Sequence, residues 1–254
     1  MKTGIFLTAR LGSSRLKRKH LLEIQKKPII LYLIDRIQLA FKQEIADRKL
    51  EIVITTSDEL ENREFEGNVN SGVKIFYGSL NNIPLRHLQA AKKNDCDYII
   101  AVDGDDILCS TDGMRAVYQE LILGKAYVRT SGLPFGMNVM GYSTEFLVKA
   151  LRKNTCKILE TGWGRIFNGD EASTITFSVN GASDDMRFTL DYLEDFNFFS
   201  ELFQMLANNS ELSTDQEIVD CVRNNRLHEI TANVSSTYWI NFNREKEREE
   251  QHEF

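Results

Sequence analysis

Proline is scarce in this chain, with 3 residues among 254, and glycine contributes only 15. Long flexible linkers are therefore not expected. No apolar run approaches the roughly 18 residues that a membrane-spanning helix needs. The content of 42% hydrophobic and 27% charged residues is an ordinary globular balance, far from that of a disordered chain. A chain of this length can bury a full core, as one large α/β domain or as two smaller ones. We expect a single domain over residues 1–254.

Cysteine and histidine are also few, with four residues of each. No two cysteines have C-x-x-C spacing, which disfavours zinc and thioredoxin-like sites. The shortage of histidine disfavours a His-based catalytic triad or a multi-His metal site. Scattered thiols are typical of proteins in a reducing compartment. The first residues lead directly into a strand pattern and contain no signal-peptide cleavage signature. We therefore expect a cytoplasmic protein.

Positive charge is in slight deficit, because 31 basic and 37 acidic residues give a net charge of -6. This balance provides no general field for nucleic acid or an anionic membrane, and neither partner is expected. Any anion-binding site must then be local. The last residues, 244–254, are almost all charged, and we expect a solvated or frayed tail there rather than a binding arm.

Short apolar runs alternate with amphipathic segments through the first half of the chain. The predicted elements are strand 5–8, helix 28–41 with Pro28 as its first residue, strand 51–56, strand 73–77, helix 84–94, strand 97–102 and helix 111–123. This alternation is typical of β-α-β crossovers and predicts an α/β fold with a mostly parallel sheet.

The following stretch is less regular. Its predicted elements are strands near 127–130, 137–142 and 174–179 and a helix at 143–153. We interpret about residues 130–185 as an insertion that covers the substrate or a partner subunit. The later predictions are a strand, a turn and a helix start at 187–196, a helix at 193–206, and a helix opened by a capping box at 213–217.

The strongest functional signal is the loop after the first strand, residues 9–19, which reads Ala-Arg-Leu-Gly-Ser-Ser-Arg-Leu-Lys-Arg-Lys. In open parallel sheets, ligands bind just beyond the carboxyl ends of the strands. The glycine, two hydroxyls and five cations suit a phosphate chain there. The loop is neither a P-loop nor a dinucleotide-binding fingerprint. A solvated basic turn is the alternative interpretation.

The pattern Ala-Arg-x-Gly-Ser-x-Arg-Leu-x-x-Lys, followed by Lys27-Pro28-Ile29 and Arg36, resembles the opening of the sugar cytidylyltransferases. That family includes the CMP-Kdo and CMP-sialate synthetases and the spore-coat-polysaccharide proteins of the SpsF type. The resemblance implies a three-layer, Rossmann-like nucleotidyltransferase fold, similar to GT-A, with a dimerisation or substrate insertion. It also implies that the loop binds CTP through Ala9, Arg10, Gly12, Ser13, Ser14, Arg15 and Lys19. Arg15 and Lys19 would neutralise phosphate charge as pyrophosphate leaves.

Three carboxylates, those of Asp103, Asp105 and Asp106, follow the fourth predicted strand. They repel one another unless a cation or hydrogen bonds compensate, and Mg²⁺ is the natural cation beside a nucleotide. An exposed Asp-Gly turn is the alternative. Gly104-Asp105 matches the family's Gly-Asp-x-Pro-Leu motif, which implies that Asp105 binds the metal.

A second acidic motif of the family matches Asp191, which implies a second metal-site residue there. Asp195 is expected instead to be structural, at the N-terminus of a helix. The chain departs from the family at three positions where the family usually has proline; this chain has Lys17, Ile107 and Leu193 there.

Residues 78–86 resemble the SpsF-type pattern Gly-Ser-x-x-x-[VIL]-x-x-Arg, which implies that Ser79, Asn82 and Arg86 lie near the base or ribose. A surface position on a helix is the alternative for Arg86. Glu160-Thr161-Gly162-Trp163-Gly164-Arg165 offers a sugar-stacking wall, with a simply packed tryptophan as the alternative. The candidate residues for sugar recognition are Arg129, Asn138, Trp163, Arg165 and Arg187.

The implied reaction is attack of a sugar oxygen on the α-phosphorus of CTP, giving a CMP-sugar for surface glycans and pyrophosphate. Its catalytic residues would be Lys19, Arg15 and Asp105, with Mg²⁺ as cofactor. The metal or Asp103 would assist loss of the acceptor's proton. A nonulosonic or 3-deoxy sugar acid is the expected acceptor, and a homodimer the expected assembly. The alternatives are an inactive nucleotide- or sugar-phosphate-binding homologue that acts as a scaffold, and a nucleotidyltransferase that uses another NTP.

Overall fold

The computed structural model describes residues 1–70, 72–206 and 210–251. Its strands are β1 (Thr3–Thr8), β2 (Glu23–Ile24), β3 (Lys27–Pro28), β4 (Leu50–Ser57), β5 (Val73–Gly78), β6 (Tyr98–Asp103), β7 (Tyr127–Ser131), β8 (Met140–Ser143) and β9 (Ser173–Thr176). Its α-helices are α1 (Ile29–Ala40), α2 (Lys42–Ala46), α3 (Phe65–Asn68), α4 (Ile83–Lys93), α5 (Thr111–Ile122), α6 (Thr144–Lys153), α7 (Leu193–Leu206), α8 (Asp215–Asn224) and α9 (Val234–Gln251). Short 3-10 helices lie at Lys19–Leu21, Leu60–Glu64, Trp163–Ile166, Gly169–Glu171 and Leu227–Thr231.

In the described residues, seven strands form one sheet in the order β5-β4-β1-β6-β8-β7-β9. The first four run parallel, with β1 between β4 and β6, so the predicted β-α-β crossovers are confirmed. β8 is antiparallel to both of its neighbours, whereas β9 pairs in parallel with β7. The sheet is therefore mostly parallel, as the sequence predicts.

Side chains of β1 alternate between two buried layers. Ile5 and Leu7 pack in a cluster with residues of α1 and α5, whereas Phe6 packs in another with residues of α4 and α6. Such alternation is what a strand buried on both faces requires. Helices thus cover both faces of the sheet and give the three layers that the resemblance implied. A third cluster joins α1 to α7, where the rings of Tyr32 and Phe203 stack at 4.1 Å between centroids.

Two local predictions were wrong. Pro28 ends β3 and is the N-cap of α1 rather than its first residue, because the short β2–β3 hairpin pairs Pro28 with Glu23. Residues 187–191 form no strand of the sheet; Arg187 makes an isolated bridge with Phe135. The hydrogen bond from the Leu190 N–H to the Asp105 carbonyl, at 2.9 Å, instead fixes this segment against the loop after β6.

The segment interpreted as an insertion is part of the central sheet. β7, β8 and β9 extend the sheet beyond β6, and α6 packs with α4 on one face. Residues 159–164 return to the start of α4, where Leu159 exchanges backbone hydrogen bonds with Asn81 and Ile83 at 2.7 and 3.0 Å. This return brings the Glu160–Arg165 stretch to the edge at which the parallel strands end. Within the described ranges, no helix is long and apolar enough to cross a membrane.

Candidate active site

A cavity of about 830 Å³ opens at the carboxyl ends of β1 and β6, which contribute Thr8 and Asp103 to its lining. The loop after β1, the loop after β6 and the segment around Asp191 line its floor, and the Glu160–Gly164 stretch and α9 line its sides. This is the edge at which open α/β sheets bind ligands. The position expected for the nucleotide loop therefore coincides with this cavity.

The loop after β1 is held in a defined shape by hydrogen bonds. The Leu11 N–H donates to Asn62 Oδ1 at 2.8 Å, and the Arg18 N–H donates to the Leu11 carbonyl at 3.2 Å. Gly104, in the loop after β6, allows the loop after β1 to approach closely. A Cβ at residue 104 would lie 3.0 Å from the Thr8 carbonyl oxygen. The two loops that carry cations and carboxylates therefore pack directly together.

Lys19 is the centre of the site. It lies in the 3-10 helix Lys19–Leu21 with its side chain buried, and its ammonium contacts carboxylates from two distant parts of the chain. Nζ donates to Asp105 Oδ2 and, at 3.1 Å, to Asp191 Oδ1. Arg15 donates to the same Asp191 oxygen at 2.6 Å. The structure thus brings together the three candidate catalytic residues and both candidate metal residues.

Burial and the neighbouring charges shift the pKa values of the residues in this cluster. Burial would lower the pKa of Lys19, but Asp105 and Asp191 outweigh it and raise that pKa above its ordinary value. Burial would likewise raise the pKa of Asp105, yet Lys19 lowers it. Burial and the neighbouring Asp105 raise the pKa of Asp103, and the pKa of Asp106 is raised by the same two causes. Asp103 and Asp106 therefore hold a proton more tightly than free carboxyl groups do, whereas Asp105 holds it less tightly.

The donor set fits Mg²⁺. Asp105 and Asp191 both contact the Lys19 ammonium, so their oxygens lie close to each other, and hard carboxylate oxygens are the ligands that Mg²⁺ prefers. In the described part of the chain, no group of three or more His, Cys, Asp or Glu residues forms a ready metal site. Two carboxylates are nevertheless sufficient where phosphates complete the coordination, as is usual for Mg²⁺.

Asp191 is itself positioned by Asp195, at the start of α7. The Asp195 carboxylate accepts hydrogen bonds from the backbone N–H groups of Asp191 and Tyr192 at 2.8 and 2.9 Å. It also accepts two from Arg187, at 2.8 and 3.0 Å. Asp195 is fully buried and does not border the cavity, which is consistent with the structural role expected for it.

We predict that Asp195→Asn lowers turnover by about tenfold or more, because loss of such supporting contacts typically costs 10–100-fold. Stability should fall by about 2–4 kcal/mol, since a buried ion pair with Arg187 is broken. Steady-state kinetics and urea unfolding would measure the two effects. Asp215→Asn is the matched control: this carboxylate is also buried but binds Ser110 away from the cavity. Equal turnover losses in both variants would contradict a positioning role for Asp195.

The five cations of the β1 loop divide between two environments. Arg10, Arg15 and Lys19 border the cavity. Arg18 instead forms an ion pair with Glu64, and Lys17 is exposed. The expectation that all five gather at one phosphate chain was therefore wrong for two of them, because residue 18 turns its side chain towards the Leu60–Glu64 helix.

The other predicted nucleotide residues have mixed positions. Ala9, Ser13, Ser14 and Arg86 border the cavity, whereas Gly12 and Ser79, both in the described residues, lie outside its lining. Arg86 is not at a surface position: it is 1% exposed, and its Nε and Nη1 have no hydrogen-bond partner within the described residues. Burial lowers its pKa to about 10, against the pull of Glu160. A buried guanidinium with unused donors at a cavity is suited to an anionic or carbonyl group of a ligand.

Of the five candidate sugar residues, the structure brings only Trp163 to the cavity among the residues that it describes. Most of its ring is packed, against His87 at 5.2 Å, and its indole N–H donates to Asp103 Oδ1 at 3.2 Å. The remaining four have partners elsewhere: Arg129 binds Thr174, Asn138 binds the Leu133 carbonyl, Arg165 binds the carbonyls of Thr161 and Ile158 as well as Glu249, and Arg187 binds Asp195. For these four, the structure does not support a direct role in the cavity.

Sequence reasoning missed α9. The expectation of a solvated or frayed end was wrong for residues 244–251, which continue this helix along the cavity; residues 252–254 lie outside the described residues. The cavity residues of α9 include Tyr238, Trp239, Asn241, Phe242, Arg244 and Arg248. The cluster of aromatic residues at 238–242, just before the charged run, was the signal in the sequence that could have revealed this helix.

His20 was also missed by the sequence analysis. Burial and the charge of Lys19 lower the pKa of His20 to about 4, so the imidazole is neutral beside Lys19.

Comparison with known proteins identifies the family of the chain. Residues 5–164 match the family model of the cytidylyltransferases. An uncharacterized protein of Methanocaldococcus jannaschii is 28% identical over 152 residues, which span 59% of this chain and 60% of that relative. The chain thus covers less than two thirds of the relative's length.

Solved structures share the fold. A cytidylyltransferase from Leptospira borgpetersenii serovar Hardjo-bovis superposes with a TM-score of 0.76 at 20% identity, over 90% of this chain and 96% of that one. A CMP:2-keto-3-deoxy-manno-octonic acid synthetase complexed with CTP gives a TM-score of 0.60 at 13% identity, over 82% of this chain and 100% of that one. At these identities the likeness shows the fold alone, whereas the family match covers well over half of the sequence. The chain therefore belongs to the cytidylyltransferase family.

Proposed function

We propose that this chain transfers CMP from CTP to a sugar acid and releases pyrophosphate. The observation that carries the proposal is the buried Lys19 ammonium between Asp105 and Asp191, with Arg15 on the same Asp191 oxygen. This arrangement lies at the sheet edge where the cytidylyltransferase family, to which the chain belongs, is expected to bind its nucleotide.

The chain's own cations would bind the triphosphate. Lys19 has three N–H donors, of which two contact Asp105 and Asp191, so one remains for a phosphate oxygen. Arg10 and Arg15 border the same space, and Arg15 offers further donors beyond its bond to Asp191. As the bond from the α-phosphorus to the leaving pyrophosphate breaks, these donors would stabilise the charge that collects on the leaving oxygens.

The carboxylates would serve the metal and the proton. We propose that Asp105 and Asp191 hold Mg²⁺, which when bound supplies charge neutralisation at the phosphate oxygens. Asp103 borders the cavity and is fixed by the Trp163 indole, so it is the chain's own candidate to accept the proton lost by the attacking oxygen. Positioning and electrostatics would account for most of the rate.

The finer assignments are part of the same proposal. The acceptor would be a nonulosonic or 3-deoxy sugar acid, the product a CMP-sugar for surface glycans, and the nearest branch of the family the SpsF type. We further propose a homodimer; β9 ends the sheet in the segment between residues 130 and 185, and an edge strand offers unpaired backbone groups to a second copy. Its mass in solution would test this.

Pyrophosphate release tests the reaction directly. Each of the four NTPs, with Mg²⁺, should be offered with a panel of sugar acids that includes N-acetylneuraminate and 2-keto-3-deoxy-manno-octonic acid. We expect release with CTP and at least one sugar acid, and rates at least a hundredfold lower with the other NTPs. Turnover with a different NTP would overturn the CTP assignment. Tight CTP binding without turnover of any pair would favour the inactive homologue, for which the replaced prolines are the only indication.

A further inference from the structure

Three polar side chains form a continuous hydrogen-bonded row between the core and the cavity. Nε2 of His87 lies 2.9 Å from Oγ1 of Thr8, and Nδ1 of the same ring lies 2.8 Å from the hydroxyl of Tyr142. His87 and Tyr142 are fully buried, whereas Thr8 is partly exposed and borders the cavity at the end of β1. The row therefore ends at the sheet edge where a ligand is expected to bind.

The imidazole in the middle of this row is enclosed and uncharged. His87 lies on α4, with the rings of Phe6 and Trp163 packed against it at 5.7 and 5.2 Å between centroids. Burial and the charge of Arg86 lower the pKa of His87 to about 3. A neutral imidazole has one N–H donor and one acceptor nitrogen. The two hydroxyls must therefore play opposite parts towards the ring.

Two arrangements of the protons meet this condition. In the first, Tyr142 donates to Nδ1 and the Nε2–H group donates to Thr8, so the proton of the Thr8 hydroxyl stays free. In the second, Thr8 donates to Nε2 and the Nδ1–H group donates to Tyr142. The phenol proton then has no acceptor, because His87 is the one hydrogen-bond partner of that hydroxyl among the residues that the structure describes. Buried donors without an acceptor are rare and costly, which favours the first arrangement.

The favoured arrangement makes Thr8 a donor to a molecule in the cavity. Its Oγ1 accepts from the imidazole and has no other hydrogen-bond partner within the described ranges, so its proton is available to a ligand. Arg86, the neighbour of His87 on α4, also borders the cavity, and its Nε and Nη1 are unpartnered in the described part of the chain. The side of the cavity next to α4 thus offers donors from two side chains and suits hydrogen-bond acceptors.

This side of the cavity is separate from the cluster around Lys19. Thr8 shares a face of β1 with Phe6, the face that α4 and α6 cover. Asp191 instead precedes α7, which packs on α1 at the other face. Lys19 and Arg15, the cations assigned to the triphosphate, both contact Asp191. A nucleotide with its pyrophosphate end on these cations would extend its CMP part towards Thr8.

We propose that Thr8 is an obligatory hydrogen-bond donor to the CMP part of the bound nucleotide. His87 and Tyr142 are positioning residues, since they set the direction of the Thr8 proton without bordering the cavity. Cytosine, ribose and the α-phosphate all present acceptor atoms, and this shared chemistry is what Thr8 would recognise. The inference rests on the function proposed above, because it assigns a contact to the nucleotide of that reaction.

The tautomer of His87 tests the proton arrangement in the unmodified protein. Long-range proton–nitrogen correlation spectra of the full chain with labelled histidine report which ring nitrogen carries the proton. The signals of His87 are identified as those lost in His87→Gln. We expect the proton on Nε2, with Nδ1 as the acceptor, both with and without CMP. A proton on Nδ1 would make Thr8 the donor to the ring and would overturn the proposal.

Binding of parts of the nucleotide tests the contact itself. The full chain with Mg²⁺ is titrated calorimetrically with CMP, with cytidine and with pyrophosphate. Thr8→Val removes the hydroxyl and keeps the shape, so it should weaken CMP binding about tenfold and pyrophosphate binding less than about twofold. Thr8→Ser keeps the hydroxyl and should bind CMP within about threefold of the unmodified chain. An equal loss for cytidine would place the acceptor on the base or ribose, and a loss for CMP alone would place it on the α-phosphate.

Thr55→Val is the matched control. Thr55 pairs with Thr8 in the register of β1 and β4, but it is buried and does not border the cavity. Its affinity for CMP and pyrophosphate should equal that of the unmodified chain. Unchanged CMP binding in Thr8→Val, an equal loss for pyrophosphate, failure of Thr8→Ser to restore CMP binding, or no binding of CMP to the unmodified chain would each overturn the proposal. The proposed function fails by a separate result, the absence of pyrophosphate release by the unmodified chain.

Discussion

Replacing Lys19 with methionine should lower the rate of CTP turnover by about a thousandfold, the upper range for loss of one preorganised donor to developing charge. Methionine keeps the length of the side chain but removes the ammonium that joins Asp105 to Asp191. Arg15 and Arg187 still contact Asp191 in the variant, so we expect the fold to be retained. Pyrophosphate release and the far-UV circular dichroism melt would measure the two properties.

Lys17→Met is the control for this change, because Lys17 lies in the same loop but is exposed and does not border the cavity. Its turnover should remain within about threefold of the unmodified chain, as is usual for a surface charge with no fixed partner. A Lys19→Met variant that is folded and retains more than a tenth of the original rate would show that this ammonium does not bind the reacting phosphates.

Substitution of Asp105 by asparagine should remove Mg²⁺-dependent turnover, with a fall on the order of a thousandfold in rate, equivalent to several kcal/mol of lost charge stabilisation. Asparagine preserves the shape of the side chain, and the backbone bond from Leu190 to residue 105 does not depend on the carboxylate. The fold should therefore persist. Binding of Mn²⁺ in the presence of CTP, followed by electron paramagnetic resonance, gives a second readout and should weaken in parallel.

Asp112→Asn provides the comparison, since Asp112 is an exposed carboxylate in the first turn of α5 and lies outside the cavity lining. Neither its turnover nor its Mn²⁺ binding should change beyond about twofold. If Asp105→Asn kept its dependence on Mg²⁺ unchanged, the assignment of Asp105 to the metal would be wrong.

The parallel half of the fold could be predicted because its elements have strong local patterns. β1, β4, β5 and β6 are short apolar runs, and the capping box predicted at 213–217 is present, with Thr214 and Glu217 bonded reciprocally. The extension by β7, β8 and β9 could not be ordered from sequence, because antiparallel β8 inserts between β6 and β7 through long-range pairing. Such pairing depends on tertiary contacts rather than on local pattern.

In the candidate site, too, features set by the local sequence could be predicted, whereas features set by long-range contacts could not. Residues near one another in sequence, such as Arg15 and Lys19, were found because the loop after β1 resembles the opening motif of the family. Asp191 was matched through a motif, yet its ion pair with Lys19 joins positions 172 residues apart and is visible only in the fold. The sequence analysis did not predict α9, because a run of charged residues has the same composition whether it is solvated or packed. Only its contacts, such as Glu249 with Thr161, distinguish the two cases.

A crystal structure of the full chain with CTP and Mg²⁺ tests the central claim most directly. The account predicts triphosphate density in the cavity, within hydrogen-bond distance of Lys19 and Arg15, with the metal on Asp105 and Asp191. Triphosphate density elsewhere on the molecule, with Lys19 still bound only to the two carboxylates, would contradict it.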